Sequence, residues 1–123
     1  MKKEPEQLVA IAAEAALNKL AENVVILSLR ELTIMTDYFL VASAETTIQV
    51  RAIAEGIIEA LEKQGVNYLR REGWEDARWV LIDYGDLVVH VFIRADREYY
   101  DLERLWGDAA RLSVDEVKAM AEV

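Results

Sequence analysis

The sequence predicts a single α/β (α+β) domain in which helices cover a mixed five-stranded sheet. Its 123 residues are the length of one ordinary domain, and a composition that is 54% hydrophobic and 30% charged is typical of globular proteins. No linker, internal repeat or low-complexity tract divides the chain. The predicted elements follow in the order helix, two strands, helix, three strands and short helices. This order indicates one sheet packed against helices.

The first part of the chain is predicted to hold one helix and two strands. Residues 1–5 are expected to be disordered, with Pro5 marking the start of a helix that runs from about Glu6 to Glu22. The β-branched run from Asn23 to Leu29 predicts a buried strand, and Tyr38 to Ala42 predicts the next.

A second helix is the clearest prediction. Thr46 and Gln49 have the spacing of a capping box, and Gly65 stands where a glycine commonly follows a helix end. Val66–Glu72 is then a predicted strand. If this strand is the parallel neighbour of the strand before the helix, the three elements form a right-handed crossover.

A β-hairpin is predicted in the stretch RWVLIDYGDLVVHVF, Arg78 to Phe92. The loop is expected to consist of two residues, Tyr84 and Gly85, unless a bulged turn with Gly85 in the left-handed conformation shifts the register by one. With the two-residue loop three pairs share one face of the sheet: Asp83 with Asp86, Leu81 with Val88, and Trp79 with His90. The opposite face is wholly apolar and is expected to face the core, so the face with Trp79 and His90 is expected to be the outer one.

The last part of the chain predicts short helices. The segment REYYDLERLWGDA reads as a turn and a short helix, and Ser113 with Glu116 predicts a capping box that starts a helix over 113–123. Four apolar side chains at helical spacing are either core that covers the sheet or an exposed contact surface: Tyr99, Leu102, Leu105 and Trp106.

Composition excludes some functions and disfavours others. The absence of cysteine excludes disulfides and thiolate chemistry, and the N-terminus carries no apolar run of a secretory signal, so a cytoplasmic protein without membrane spans is expected. The formal charge of −9 disfavours binding to nucleic acid through phosphates. An acidic surface either steers the chain toward a basic protein or serves only solubility.

A catalytic alternative rests on three carboxylates. Asp83 and Asp86 bracket the hairpin turn, and Asp37 lies near a neighbouring strand, so the three could hold metal ions for nucleotidyl transfer. The five isolated glycines form no phosphate cradle, however. His90 is the only histidine and is expected to be a satisfied strand residue, so no metal and no cofactor are predicted.

The hairpin, REYYDLERLWGDA and the upstream segments LTIMTDYFLVAS and QVRAIAEGI together resemble the Iojap-related family, the ribosomal silencing factors called RsfS. The resemblance covers about Leu8 to Ala110. It implies a nucleotidyltransferase-like fold without the catalytic apparatus. It also implies binding to the fourteenth protein of the large ribosomal subunit, which blocks joining of the small subunit, or a role in large-subunit biogenesis.

The resemblance also implies which residues contact the partner. The family's exposed tryptophan falls on Trp79, and the expected partner-binding set lies around it: Trp79, His90, Asp83, Asp86, Arg78 and Tyr84. Little direct contact with nucleic acid is implied, and the free protein is expected to be able to form a homodimer. The sequence departs from the family pattern at Ser28, Ala44, Thr46 and Ile48, where Asp, Gly, Ser and Arg are usual, which leaves a binding role for the turn before the second helix without support.

Overall fold

The computed structural model describes residues 3–122, and this part of the chain forms one mixed sheet with helices on both sides. The helices are α1 (Pro5–Asn18), α2 (Thr47–Glu62), α3 (Arg94–Tyr100), α4 (Leu102–Leu105) and α5 (Val114–Ala121). The strands are β1 (Glu22–Ser28), β2 (Tyr38–Ala44), β3 (Arg70–Glu72), β4 (Trp79–Asp83), β5 (Leu87–Ile93) and β6 (Ala110–Leu112). The predicted fold class is confirmed, and the sheet has one strand more than expected.

The sheet has the order β3-β4-β5-β2-β1-β6. Its central pair, β2 and β5, is parallel, while every other neighbouring pair is antiparallel. The crossover considered for the second and third strands does not form, because β3 lies at the sheet edge against β4 and is not a neighbour of β2. The strand β3 is three exposed residues long, whereas a central parallel position requires an apolar strand such as β5 that can be buried on both faces.

The main core lies between the sheet and the layer of α1, α2 and α5. The hairpin residues Val80, Ile82, Val89 and Val91 are fully buried in this core, which confirms the predicted inner face. Each aliphatic side chain buried in this way stabilises the fold by roughly 1.5–3 kcal/mol. No helix within residues 3–122 is long and apolar enough to cross a membrane.

The helix α1 ends four residues earlier than expected. Leu20 adopts a left-handed φ of 62°, and the backbone N–H of Ala21 donates to the carbonyl of Ala16 at 3.0 Å. This geometry closes the helix and turns the chain into β1. At the other end Glu4 caps the helix, and its N–H donates to the side chain of Gln7 at 2.8 Å. Of the residues expected to be disordered, 1 and 2 lie outside the described part.

The predicted capping box of α5 is complete, whereas that of α2 has only the bond accepted by the Thr46 hydroxyl. The Thr46 hydroxyl accepts from the backbone N–H of Gln49 at 3.2 Å. Ser113 and Glu116 form a reciprocal capping box, with both bonds at 3.0 Å. Gly65 has a φ of +77° after the end of α2, as expected of a glycine that stops a helix. The C-terminal helix is confirmed as far as Ala121, and residue 123 lies outside the described part.

The hairpin has a different register from the predicted one. Its two-residue loop is Gly85–Asp86, and Trp79 lies opposite Phe92, Leu81 opposite His90 and Asp83 opposite Val88. The shift is two residues, so each side chain stays on its predicted face. Gly85 occupies the first loop position with a φ of +87°, which is the position where a type II′ turn requires glycine.

A second, smaller core forms on the other side of the sheet. Val41 and Phe92 are buried there under Leu102 of α4, and Phe39 and Trp79 pack against them. The expectation that the face with Trp79 is simply exposed is therefore wrong, because α3 and α4 cover part of it.

The aromatic segment that was predicted to be either core or contact surface divides between the two. Leu102 is buried and Trp106 is half-buried, whereas Tyr99 and Leu105 project into solvent.

Candidate docking face

The part of the second sheet face that α3 and α4 leave uncovered is called the open face below. Five half-buried side chains define it: Phe39, Trp79, Leu81, Asp83 and Val88. They come from β2, β4 and β5 and share one side because side chains alternate along each strand. Four of the five are apolar, so the open face presents an apolar centre on a rigid sheet.

Trp79 is held on several sides. Its ring stacks on Phe92 with centroids 4.8 Å apart and tilts against Tyr100 of α3 at 4.8 Å. Its indole Nε1–H donates a hydrogen bond to Nδ1 of His90 at 3.1 Å. The indole is thus fixed in place while part of it stays accessible to solvent.

His90, expected in the partner-binding set, does not reach the surface of the open face. Its side chain is buried, with an exposed fraction of 4%. Burial lowers the pKa of His90 to about 4, so the ring is neutral near pH 7. Since Nδ1 accepts from Trp79, the proton of the neutral ring resides on Nε2, and that buried atom has no hydrogen-bond partner among the described residues. The prediction of a satisfied histidine is therefore correct for one nitrogen and wrong for the other.

The two hairpin acids do not oppose each other. Asp83 accepts from the backbone N–H of Gly85 at 2.8 Å and from Nε of Arg70 at 3.1 Å. Asp86 lies in the turn, where its carbonyl accepts from the backbone N–H groups of Asp37 and Tyr38, each at 3.1 Å. The turn therefore joins the start of β2, and the expected repulsion between facing acids is absent.

Arg78 and Tyr84 differ in exposure, since Arg78 lies at the surface and Tyr84 in the core. Arg78 is exposed beside Trp79 and makes a forked pair with Asp96, with bonds of 3.1 and 2.6 Å. That hydrogen bond lowers the pKa of Asp96. Tyr84 has an exposed fraction of 8% and packs in the main core, where burial raises its pKa. Tyr84 therefore cannot offer its side chain to a partner in this conformation.

The carboxylates of the catalytic alternative are engaged in ion pairs instead. The carboxylate of Asp37 lies 3.6 Å from the guanidinium of Arg30, and the carboxylate of Asp83 is paired with the guanidinium of Arg70. Within residues 3–122 no group of three or more His, Asp or Glu side chains is arranged to hold a metal ion. The geometry thus gives the two-metal hypothesis no assembled ligand set.

Sequence reasoning missed several residues in and beside the open face. Phe39, which belongs to it, contacts His90 edge-on with ring centroids 4.5 Å apart, and Trp106 contacts Phe39 with ring centroids 5.8 Å apart. The loop before β2, next to the hairpin turn, exposes Ile34 and Met35. The sequence could have indicated the two loop residues, since large apolar side chains in a predicted loop are unusual. The position of Phe39 depends on the non-local pairing of β2 with β5.

The fold and this face define a single-domain α/β protein with a partly covered aromatic sheet surface. The family model described as "Ribosomal silencing factor during starvation" matches residues 2–123. The chain therefore belongs to the RsfS family of ribosomal silencing factors.

Individual relatives agree with this assignment. The chain is 43% identical over 112 residues to the ribosomal silencing factor RsfS of Halalkalibacterium halodurans, a match that covers 91% of this chain and 96% of the relative. It is also similar to the crystal structure of a protein from Chromobacterium violaceum, with a TM-score of 0.83 and 36% identity, covering 85% of this chain and 87% of that one.

The name of a more distant relative refers to the large ribosomal subunit. The chain is 31% identical over 74 residues to the mouse protein named "Mitochondrial assembly of ribosomal large subunit protein 1". That match covers 58% of this chain and 32% of the mouse protein.

Proposed function

We propose that this protein represses translation by binding the large ribosomal subunit through its fourteenth protein and sterically blocking the small subunit. The family names supply the ribosomal role, and the mouse relative's name points to the large subunit. The observation that carries the proposal is the open face, on which a fixed, half-buried tryptophan lies among apolar neighbours. The action is binding, with no reaction catalysed, and the proposed place of action is the cytoplasm.

The geometry of Trp79 supports its role as the main contact. Tryptophans that dominate protein interfaces are large, held rigidly and surrounded by groups that exclude water. Stacking on Phe92 and contact with Tyr100 give Trp79 this rigidity before any partner arrives. A preorganised side chain loses little conformational entropy on binding, which favours affinity.

The polar contacts of the proposed interface lie around this centre. We expect Arg78, Asp83 and Asp86 to meet the partner at the rim of the interface, where solvent-accessible charges tune specificity and association rate more than affinity. His90 and Tyr84 are buried, so their contributions are indirect.

The charge of the chain supports a basic protein partner. The formal net charge is −9 at pH 7, which favours association with a basic ribosomal protein and leaves few cations to grip RNA directly. Large apolar side chains are also exposed in the loop before β2, at Ile34 and Met35, and in α3 and α4, at Tyr99 and Leu105. The open face could pair two free copies, and sedimentation of the isolated protein at increasing concentration tests for that homodimer.

Co-sedimentation with separated ribosomal subunits tests the partner. The subunits come from Bacillus subtilis, and the 41% identical RsfS of that organism serves as the positive control. The expected result is selective pelleting with large subunits. Binding to small subunits, or to neither while the control binds, would overturn the proposal.

A subunit-joining assay tests the steric mechanism. Purified large subunits are preincubated with the protein, small subunits are added, and the fraction of joined ribosomes is measured by light scattering. The proposal requires joining to fall as large subunits become occupied. Unchanged joining at full occupancy would refute the blocking step and leave an assembly role.

The salt dependence of binding separates the two sources of affinity. An apolar contact centred on Trp79 should persist at moderate ionic strength, because screening weakens only exposed charge pairs.

The enzymatic alternative is tested in parallel by thermal shift. It requires stabilisation by Mg²⁺ with a nucleotide, and this response should disappear in Asp83→Asn.

A further inference from the structure

The buried histidine raises a question that the docking proposal leaves open. His90 lies in the middle of β5, where Leu or Phe would pack without any unsatisfied polar atom. Its Nε2 has no partner among residues 3–122, which is an energetic cost in a buried position. Residues that violate a local rule in this way are commonly found where function requires them.

Among residues 3–122 the one polar interaction of the His90 ring is with Trp79. The indole Nε1–H donates to Nδ1 of His90 at 3.1 Å, and the ring centroids are 5.9 Å apart. The residue directly across from Trp79 is Phe92, so the bond to His90 runs diagonally between β4 and β5. The indole therefore has stacking on one side and a directional hydrogen bond at its edge.

Stacking alone would leave the indole able to slide or flip, because aromatic pairs are favourable over a range of centroid distances and offsets and do not select which ring edge faces inward. A hydrogen bond to a buried acceptor selects one orientation, with Nε1 turned inward and the opposite edge of the ring outward. His90 is itself held, since it contacts Phe39 edge-on at 4.5 Å. The acceptor atom, Nδ1 of His90, therefore belongs to a ring that is itself fixed by packing.

We propose that His90 is a positioning residue that fixes Trp79 in its docking orientation. This inference rests on the proposed function for its consequence in binding, while the positioning itself can be measured without any partner. His90 does not touch the partner. It acts through the indole, and what matters is a hydrogen-bond acceptor at the position of Nδ1.

Three substitutions isolate that acceptor. His90→Leu removes it and fills the site with an apolar side chain. His90→Asn places an amide oxygen near the position of Nδ1, whereas His90→Gln carries its amide one bond further, near the position of Nε2. Asn and Gln thus share the same chemical group and differ in its reach.

The first readout is the indole N–H resonance of Trp79 in a nitrogen–proton NMR spectrum of the isolated protein. Trp79→Phe assigns the peak, and the indoles of Trp74 and Trp106 are internal references. The expected result is loss of the hydrogen-bonded shift and faster exchange with solvent in the Leu and Gln variants, with retention in the Asn variant. An unchanged Trp79 peak in His90→Leu would overturn the positioning role.

The second readout is the affinity for large ribosomal subunits, with unfolding temperatures recorded for every variant. Loss of one directional hydrogen bond is expected to weaken binding about fivefold in His90→Leu and His90→Gln and less than about twofold in His90→Asn. Equal losses in all three variants, or none in His90→Leu, would refute the inference. If the wild type fails to bind, the docking proposal fails, and the NMR result still decides the positioning.

Discussion

The ion pair between Arg97 and Glu103 is predicted to be a major source of stability for the segment that covers the second core. The Arg97 side chain donates to both Glu103 carboxylate oxygens, at 3.4 and 3.2 Å, and to the Ser43 hydroxyl at 3.0 Å. A further bond of 3.3 Å reaches the carbonyl of Glu22. Arg97 thus ties α3 to β1 and β2, and both partners of the ion pair are largely buried.

The perturbation is Arg97→Met, which keeps the side-chain length and removes the charge. Breaking one side of a buried ion pair costs about 3–5 kcal/mol, because the remaining carboxylate stays buried without its partner. A chain of 123 residues unfolds with an entropy of about 0.26 kcal/mol/K near 60 °C. The midpoint of thermal unfolding should therefore fall by roughly 12–19 °C.

The assay is thermal unfolding followed by circular dichroism, for Arg97→Met and for the double variant Arg97→Met/Glu103→Met. Replacing both charges by apolar groups removes the stranded carboxylate, so the double variant should be more stable than Arg97→Met. The control is Arg104→Met, a nearby exposed arginine. A shift of less than about 4 °C in Arg97→Met would refute the reasoning, because it would equal the effect of a surface pair.

Two further predictions concern His90 and Gly73. Burial lowers the pKa of His90 to about 4, so between that value and its ordinary 6.5 the unfolded chain binds a proton that the folded chain does not. The stabilisation from keeping His90 neutral in the folded state is fully present above pH 6.5 and is lost as the pH falls toward 4. Lowering the pH from 7 to 4.5 should therefore reduce the free energy of unfolding, measured with urea, by roughly 2–3 kcal/mol more in wild type than in His90→Asn. Equal reductions in the two proteins would contradict this. An added Cβ at Gly73 would overlap the carbonyl oxygen of Trp79, whereas at Gly65, with nearly the same positive φ, it would meet no atom within 4 Å. Gly65→Ala should lower the free energy of unfolding by about 1–2 kcal/mol, and Gly73→Ala should lower it by at least about 1–3 kcal/mol more. Equal unfolding midpoints for the two variants would show that the clash at Gly73 is relieved.

Local chemistry made much of the fold predictable from the sequence. The caps at Thr46 and Ser113 depend on side chains three residues away, so spacing alone identified them. The two faces of the hairpin followed from strict alternation along β4 and β5. The register was wrong because the loop glycine was assigned to the second position, whereas a type II′ turn places it first, at Gly85.

The predictions that were wrong concern features that depend on pairing between distant parts of the chain. The strand β6 has three residues and is defined by its partner β1, more than eighty positions earlier in the chain. The neighbour of β2 is β5, and no local pattern excludes β3. The burial of His90 likewise follows from the aromatic neighbours that β2, α3 and α4 bring to one side of the sheet. Sequence patterning therefore placed Trp79 on the correct face without showing what surrounds it.

The central claim is that the open face docks on the large ribosomal subunit through Trp79. The most direct test measures the affinity of wild type, Trp79→Ala and Trp74→Ala for purified large subunits by quantitative co-sedimentation. Trp74 is the matched control because it is half-buried against the main core, on the other side of the sheet.

Truncation of a dominant interface tryptophan costs about 2 kcal/mol or more, so Trp79→Ala should bind at least about 30-fold more weakly. Trp74→Ala should stay within about threefold of wild type if it remains folded. Circular dichroism and the unfolding midpoint verify the fold of each variant. If folded Trp79→Ala bound large subunits as tightly as wild type, the open face would not be the docking surface.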